Sequence, residues 1–247
     1  MYDPLILDGE SAFTSAQGDT YAWTDGKLGS VDLSLPEGAL GDNRVRFEGI
    51  RWEIDALTLG LPDGHEGKTI IRSSSYNGVF TIGSLVVDGD ATLDMDGNYI
   101  IGDIQITGNA RVNLPDIGGA EIGSVLMEGG GTNLFETRAE ISGAIRTGGT
   151  DTIKLNGGGA GSVHLLGKDD LLTAQRTTIG LLNPGKGEDR VLSWSSDINK
   201  VVDRGGDDSF TFSGTEIGTL SLSGGNDTLS ITSHSHVNKL DVSGKSS

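Results

Sequence analysis

The sequence predicts an all-β chain folded as a right-handed parallel β-helix (β-solenoid) with about 19 residues per coil. Five aspartates, Asp151, Asp170, Asp189, Asp208 and Asp227, stand nineteen residues apart. An apolar column keeps the same step through Ile141, Ala160, Ile179, Ile198 and Ile217, and a second runs through Ile153, Leu172, Val191, Phe210 and Leu229. A fixed period near twenty, held without insertion, means stacked coils that each contribute one layer of core. Helix signals are nearly absent, and 40 glycines supply the turns that such coils demand.

One domain is expected over 1–247, in three parts. Residues 1–27, with Phe13, Tyr21 and Trp23, form the candidate N-terminal cap, covering backbone groups that would otherwise recruit other chains. Residues 28–81 hold wider coils, starting at Leu28 and Ile54 and stepping 26 and 28 residues. Their excess falls at 35–43 and 61–68, as two loops projecting side by side from one face, a common position for a binding surface in repeat proteins. Residues 82–247 hold the regular coils, with starts at Ile82, Ile101, Ile122 and every nineteen or so residues to Val237. The single 21-residue step, after Ile101, is assigned to a local loop at Ile117-Gly118-Gly119. About eleven coils at roughly 4.8 Å each make a rod on the order of 50 Å long.

Within a coil the motif is Ile-Gly, an alternating strand, a glycine turn, a second alternating strand and a polar return. In Ile217–Ser223, Leu220 and Leu222 face one way and the hydroxyl residues the other. After Gly224-Gly225, Asp227–Thr232 repeats the alternation with Leu229 and Ile231 inward. The isoleucine column is expected to form a third short strand of its own. Lys239, Asp241 and Lys245 interrupt the last apolar pattern and guard the far end with charge.

A formal charge of -17 opposes nucleic acid and anionic lipid as partners and favours divalent cations. No apolar run has the length of a membrane helix, so membrane insertion is not expected, and the absence of cysteine removes disulfides and thiol chemistry. The start, Met1-Tyr2-Asp3-Pro4, shows no basic region or apolar signal core.

Stacked like charges repel by roughly 1 kcal/mol per pair even in water, so the aspartate column needs compensation. Two forms are expected. Calcium, a hard cation taking oxygen ligands, would make Asp151, Asp170, Asp189, Asp208 and Asp227 metal ligands. Alternatively each aspartate accepts a backbone N–H within its own turn, with no metal. Trp23 and Trp52, with Asp63, His65 and Glu66 of the second loop, are the candidate ligand-binding residues, as aromatics beside carboxylates suit a sugar. His234 and His236 flank Ser235 with no third ligand evident. For catalysis the candidate acids are the adjacent pairs Asp169-Asp170 and Asp207-Asp208, but neighbouring strand residues point to opposite faces, and no catalytic residue is assigned.

The turns Gly148-Gly149-Thr150-Asp151, Gly205-Gly206-Asp207-Asp208 and Gly224-Gly225-Asn226-Asp227 resemble contracted RTX nonapeptides. That resemblance implies a secreted bacterial β-roll with calcium in its glycine-aspartate loops. Each turn here lacks the inner glycine, however, and each coil has one such turn instead of two. The 19-residue step is also similar to the passenger rods of self-associating autotransporter adhesins, and phage tail fibres share the texture. The expected role is a non-catalytic structural or adhesive module, secreted or on the bacterial cell surface, binding a surface glycan or associating with itself. The alternatives are a carbohydrate-active β-helix lyase or hydrolase, and a calcium-stabilised repeat block.

Overall fold

The computed structural model describes residues 13–14, 20–34, 43–61, 69–73, 79–96, 98–115 and 119–243. Among them are 21 strands and no helix, and every pairing between strands is parallel. Between the ends, each strand bonds the equivalent strand one coil earlier and one coil later, which is the β-solenoid that the period predicts.

Two strands alternate in the regular coils, a longer one such as Glu216–Ser223 and a shorter one such as Thr228–Thr232. The stacking register follows the sequence columns residue for residue. Ile141 pairs Ala160, and Ile179, Ile198, Ile217 and Val237 pair in succession. On the shorter strands Ile153, Leu172, Val191, Phe210 and Leu229 do the same. The wider coils are held in one file with the rest, Leu28 on Ile54 and Ile54 on Ile82. From Ile82 to Val237 the chain thus makes eight turns. The projecting loops, 35–42 and 62–68, lie outside the described residues.

The isoleucine column does not form a separate third strand. Ile217 belongs to the same strand as Leu220 and Leu222, with Gly218 between. Buried residues are spaced by three across that glycine and by two beyond it, so the inward face changes parity and the strand bends without ending. Glycine holds this place in most coils, with Asp55, Ser142 and Asn199 among the exceptions. A Cβ at Gly102 would lie 2.3 Å from the Gly83 carbonyl oxygen, and one at Gly180 would lie 2.4 Å from that of Gly161. This contact favours glycine after the isoleucine wherever the bend brings one backbone close onto the one below.

The step after Ile101 is 21 residues, and the shorter strands show a second irregularity. Arg111 to Leu134 is a 23-residue step and Leu134 to Thr152 an 18-residue step. Gly129-Gly130-Gly131 lengthens that corner, and the following return is correspondingly short.

The core is the space between the two stacks. Leu182, Val201 and Leu220 fill one side and Val191, Phe210 and Phe212 the other, all fully buried, with the two phenyl rings 6.0 Å apart. At the corner before the isoleucines, side-chain size falls along the rod from Phe80 and Tyr99 to Ala120, Ala139 and Gly158. The Tyr99 hydroxyl donates to the Leu114 carbonyl at 2.7 Å and lies 3.3 Å from Thr137 Oγ1. Beyond Gly158 the corner carries buried hydroxyls, Thr177, Ser196 and Thr215, which bond backbone carbonyls of the preceding coil.

Candidate functional site

At the opposite corner stands the acidic column. Asp151, Asp170, Asp189 and Asp208 are 1–3% exposed, and Asp227 at the end of the column is half-buried. The glycine turn leads the chain into the short strand at this point, so the residue before the strand must face inward. An apolar side chain would serve as well, and Ala91 and Ala110 hold this place in earlier coils.

What replaces water around the carboxylates is the backbone of the neighbouring coil. The N–H of Asp151 donates to Asp170 Oδ1 at 2.7 Å, that of Asp170 to Asp189 Oδ1 at 2.8 Å, and that of Asp189 to Asp208 Oδ1 at 2.8 Å. The N–H of Asp208 reaches Asp227 Oδ1 at 3.1 Å. The expected bond within the aspartate's own turn is found at Asp151, whose Oδ2 accepts from Gly149 N–H, while Asp170, Asp189, Asp208 and Asp227 accept a backbone N–H from the neighbouring coil. Asn133 continues the file: its N–H donates to Asp151 Oδ1, and its own Oδ1 accepts from Ala110 N–H. Outside the column, turn bonds to aspartate occur at Asp32 and Asp203.

Second oxygens fare unequally. Asp151 Oδ2 accepts from Gly149 N–H, and Asp170 Oδ2 from the Thr147 hydroxyl at 2.7 Å. Asp189 Oδ2 and Asp208 Oδ2 are buried with no hydrogen-bond partner. Titration follows this pattern. Burial pushes Asp170 up to about 6, against the bonds from Thr147 and the backbone. Burial, reinforced by the carboxylates above and below, pushes Asp189 up to about 8. Asp208 rises to about 7, chiefly by burial and then through Asp203, and Asp227 is also raised.

Asp203 is a fully buried residue that periodicity did not single out. It lies one place beyond the pair Val202 and Ser221, on the inward column otherwise held by Leu165, Pro184 and Leu222. A carboxylate interrupting an apolar file was the available signal. Its oxygens accept from Gly205 N–H at 3.1 Å and Ser223 N–H at 3.3 Å. Asp203, Asp208 and Asp227 each bring one carboxylate oxygen within 4.8 Å of the others, the only such acidic or histidine group among the described residues. Of the five predicted ligands the structure thus gathers two, with Asp203 as the third. Between each pair of successive aspartates in the column it places a backbone N–H.

The adjacent pairs split as expected, with Asp169 and Asp207 exposed and Asp170 and Asp208 buried. Asp207 accepts from the Asn226 N–H and side chain, which hold its carboxyl below the usual value. Trp23 lies in strand Thr20–Asp32 opposite Phe47, and Trp52 in strand Asn43–Leu61 opposite Gly26 and Phe80, so their backbones are not paired with each other. Asp63, His65 and Glu66 lie outside the described residues. His234 and His236 are exposed.

A groove of about 340 Å³ lies at the C-terminal ends of the long strands, lined by Leu166, Gly167, Asn183, Gly185, Lys186 and Arg204. Asn183 Oδ1 is buried without a hydrogen-bond partner. No helix among the described residues is long and apolar enough to cross a membrane. Comparison of the chain with family models, curated proteins and solved structures finds no match.

Proposed function

We propose that this chain is a non-catalytic scaffold, a structural or adhesive β-solenoid module of a bacterial secreted or surface protein. The observation that carries this reading is the orientation of the acidic column. Its carboxylates face inward and bond the backbone of the preceding coil, so they serve stacking and do not meet a substrate. The exposed acids Asp169 and Asp207 also hold coils together, here accepting from the following coil through Glu188 N–H and Asn226 N–H. Negative charge over the whole chain and the absence of thiols suit an extracellular surface. The groove beside Lys186 and Arg204, with its buried carbonyl acceptor, is the surface best suited to an acidic glycan. Incubation with a panel of acidic and neutral polysaccharides tests the reading. It predicts retention of glycan without new reducing ends or unsaturated products, and steady product release would overturn it.

The cluster of Asp203, Asp208 and Asp227 favours a second reading, in which a divalent cation locks the C-terminal coils. Three buried or half-buried carboxylates in reach of one point, one oxygen of Asp208 having no donor, are a hard-oxygen donor set. A melting temperature several degrees higher in calcium than in chelator, lost in Asp203→Asn, supports it. Superimposed curves would remove it.

A further inference from the structure

The outward face of the long strands changes sign partway along the rod. Beyond the glycine bend, the coils that start at Ile141, Ala160, Ile179 and Ile198 carry Arg146, Lys186, Lys200 and Arg204 on that face or at its end, and no carboxylate. All four cations are exposed, and among the described residues none has a carboxylate within ion-pair distance. The exposed acids Asp169, Glu188 and Asp207 lie in the turns past the strand ends, where Asp169 and Asp207 already accept from Glu188 N–H and Asn226 N–H. In a chain of net charge -17, four unpaired cations on one face make a local field of opposite sign that concentrates anions.

The groove lies within this strip, and a β-bulge shapes it. His164 to Leu166 is a step of two residues, and their partners Asn183 to Lys186 a step of three, so the later strand carries one extra residue. Pro184, which has no N–H, and Gly185, at φ 88°, supply the bulge. On its other side the next strand, Asp197–Val202, pairs only as far as Leu182 with Val201. The bulged segment thus has no paired strand there, and Arg204 lines the opening with Lys186.

Three kinds of contact stand unmet in the groove. Leu166 is 41% exposed, Asn183 Oδ1 is buried with no donor, and Lys186 and Arg204 have no carboxylate. A simple anion would satisfy the cations alone. The amide oxygen needs a hydroxyl or N–H donor, and Leu166 beside Gly167 and Gly185 suits the C–H face of a ring. A sugar acid brings all three groups.

We propose that the groove and its strip of cations bind a uronic-acid glycan laid along the rod. One uronate sits in the groove with its carboxylate between Lys186 and Arg204, a hydroxyl donating to Asn183 Oδ1 and its ring against Leu166. Arg146, His164 and Asn183 are register partners in one file leading into the groove. Arg146 stands three coils before Arg204, roughly 14 Å along the rod, and meets a further carboxylate of the same polymer. The proposal rests on the scaffold reading and names the glycan class and the residues that take it.

The test is calorimetric binding of polygalacturonate, alginate and hyaluronan to the full 247-residue chain, with far-UV circular dichroism as a control on folding. Chelator is present throughout, so that no cation bridges the polymer to the acidic column. At least one uronate polymer is expected to bind, more weakly as salt rises, and methyl-esterified polygalacturonate is expected to bind at least about tenfold less. Lys186→Ala/Arg204→Ala should weaken binding about tenfold and Asn183→Ala about fivefold. Lys154→Ala, which removes a cation from the other sheet, should leave affinity unchanged. No binding of any uronate polymer, equal binding of the methyl ester, tighter binding of a single-stranded oligonucleotide, or a loss in Lys154→Ala as large as in the groove variant would overturn the site and leave the scaffold reading standing. Release of unsaturated or reducing-end products would overturn that reading, and the proposal with it.

Discussion

The backbone N–H of Asp189 donates to Asp208 Oδ1 at 2.8 Å, joining two carboxyl-bearing residues of successive coils that would otherwise only repel. The acceptor oxygen matters in this bond; the charge does not. Asparagine keeps the acceptor, as Asn133 already does in the same file. Asp189→Asn is accordingly expected to melt within a few degrees of the parent near neutral pH. Asp189→Ala leaves the buried Asp170 N–H without an acceptor and should cost about 1–3 kcal/mol by chemical denaturation.

The raised carboxyls make stability fall as pH rises. Asp189 goes from an ordinary value of 3.8 in the unfolded chain to about 8 when folded. Between those values the folded state holds the extra proton, so stability declines with pH and levels off above about 8. Asp170, at about 6, and Asp208, at about 7, act in the same direction over narrower windows. Melting temperatures measured in chelator from pH 5 to pH 9 should drop, and the drop should be smaller in Asp189→Asn.

Two non-glycine residues, Arg176 and Ser195, hold φ of 52° and 50° at the turn where the next coil places Gly214 at 60°. A left-handed conformation costs an L-residue roughly 1–2 kcal/mol that glycine avoids. Gly214→Ala should therefore destabilise by about 1 kcal/mol through backbone conformation alone, because a Cβ there meets nothing closer than 3.5 Å. Ser195→Gly should gain a similar amount. Equal melting of all three proteins would contradict this assignment.

Tyr99 reaches the Leu114 carbonyl and the Thr137 hydroxyl from a corner that the next two coils fill with Ala120 and Ala139. Tyr99→Phe keeps the ring and removes the donor, with an expected loss of about 1 kcal/mol in equilibrium unfolding. A ring substitution that shrinks the side chain, Tyr99→Ala, opens a cavity and should cost about 3–5 kcal/mol.

The architecture was legible because coil stacking turns a sequence period into direct pairing. Each column from Ile141 to Ile217 and from Ile153 to Leu229 is a file of hydrogen-bonded neighbours. Less was legible at the corners. The isoleucines lie at the start of a bent strand because Gly218 and its equivalents let the backbones approach, a contact between coils that no single coil reveals. The hydrogen bonds of the aspartates were hidden for a similar reason: a carboxylate can accept an N–H from its own turn or from the coil before, and only stacking geometry decides. Asp203 escaped because it belongs to no acidic period, although its place in the file of Leu165, Pro184 and Leu222 marked it as an inward carboxylate.

Paired cysteines test the stacked register most directly, since the chain has no cysteine of its own. Thr173 and Leu192 are register partners on adjacent coils and Thr211 is the partner of Leu192 on the next. Adjacent strands lie about 4.8 Å apart, within disulfide reach, and alternate ones about 10 Å apart, beyond it. Oxidation of Thr173→Cys/Leu192→Cys should close an intramolecular bridge nearly completely, while Thr173→Cys/Thr211→Cys stays reduced. Free thiols in the first variant, or an equally efficient bridge in the second, would contradict the stacking on which the whole account rests.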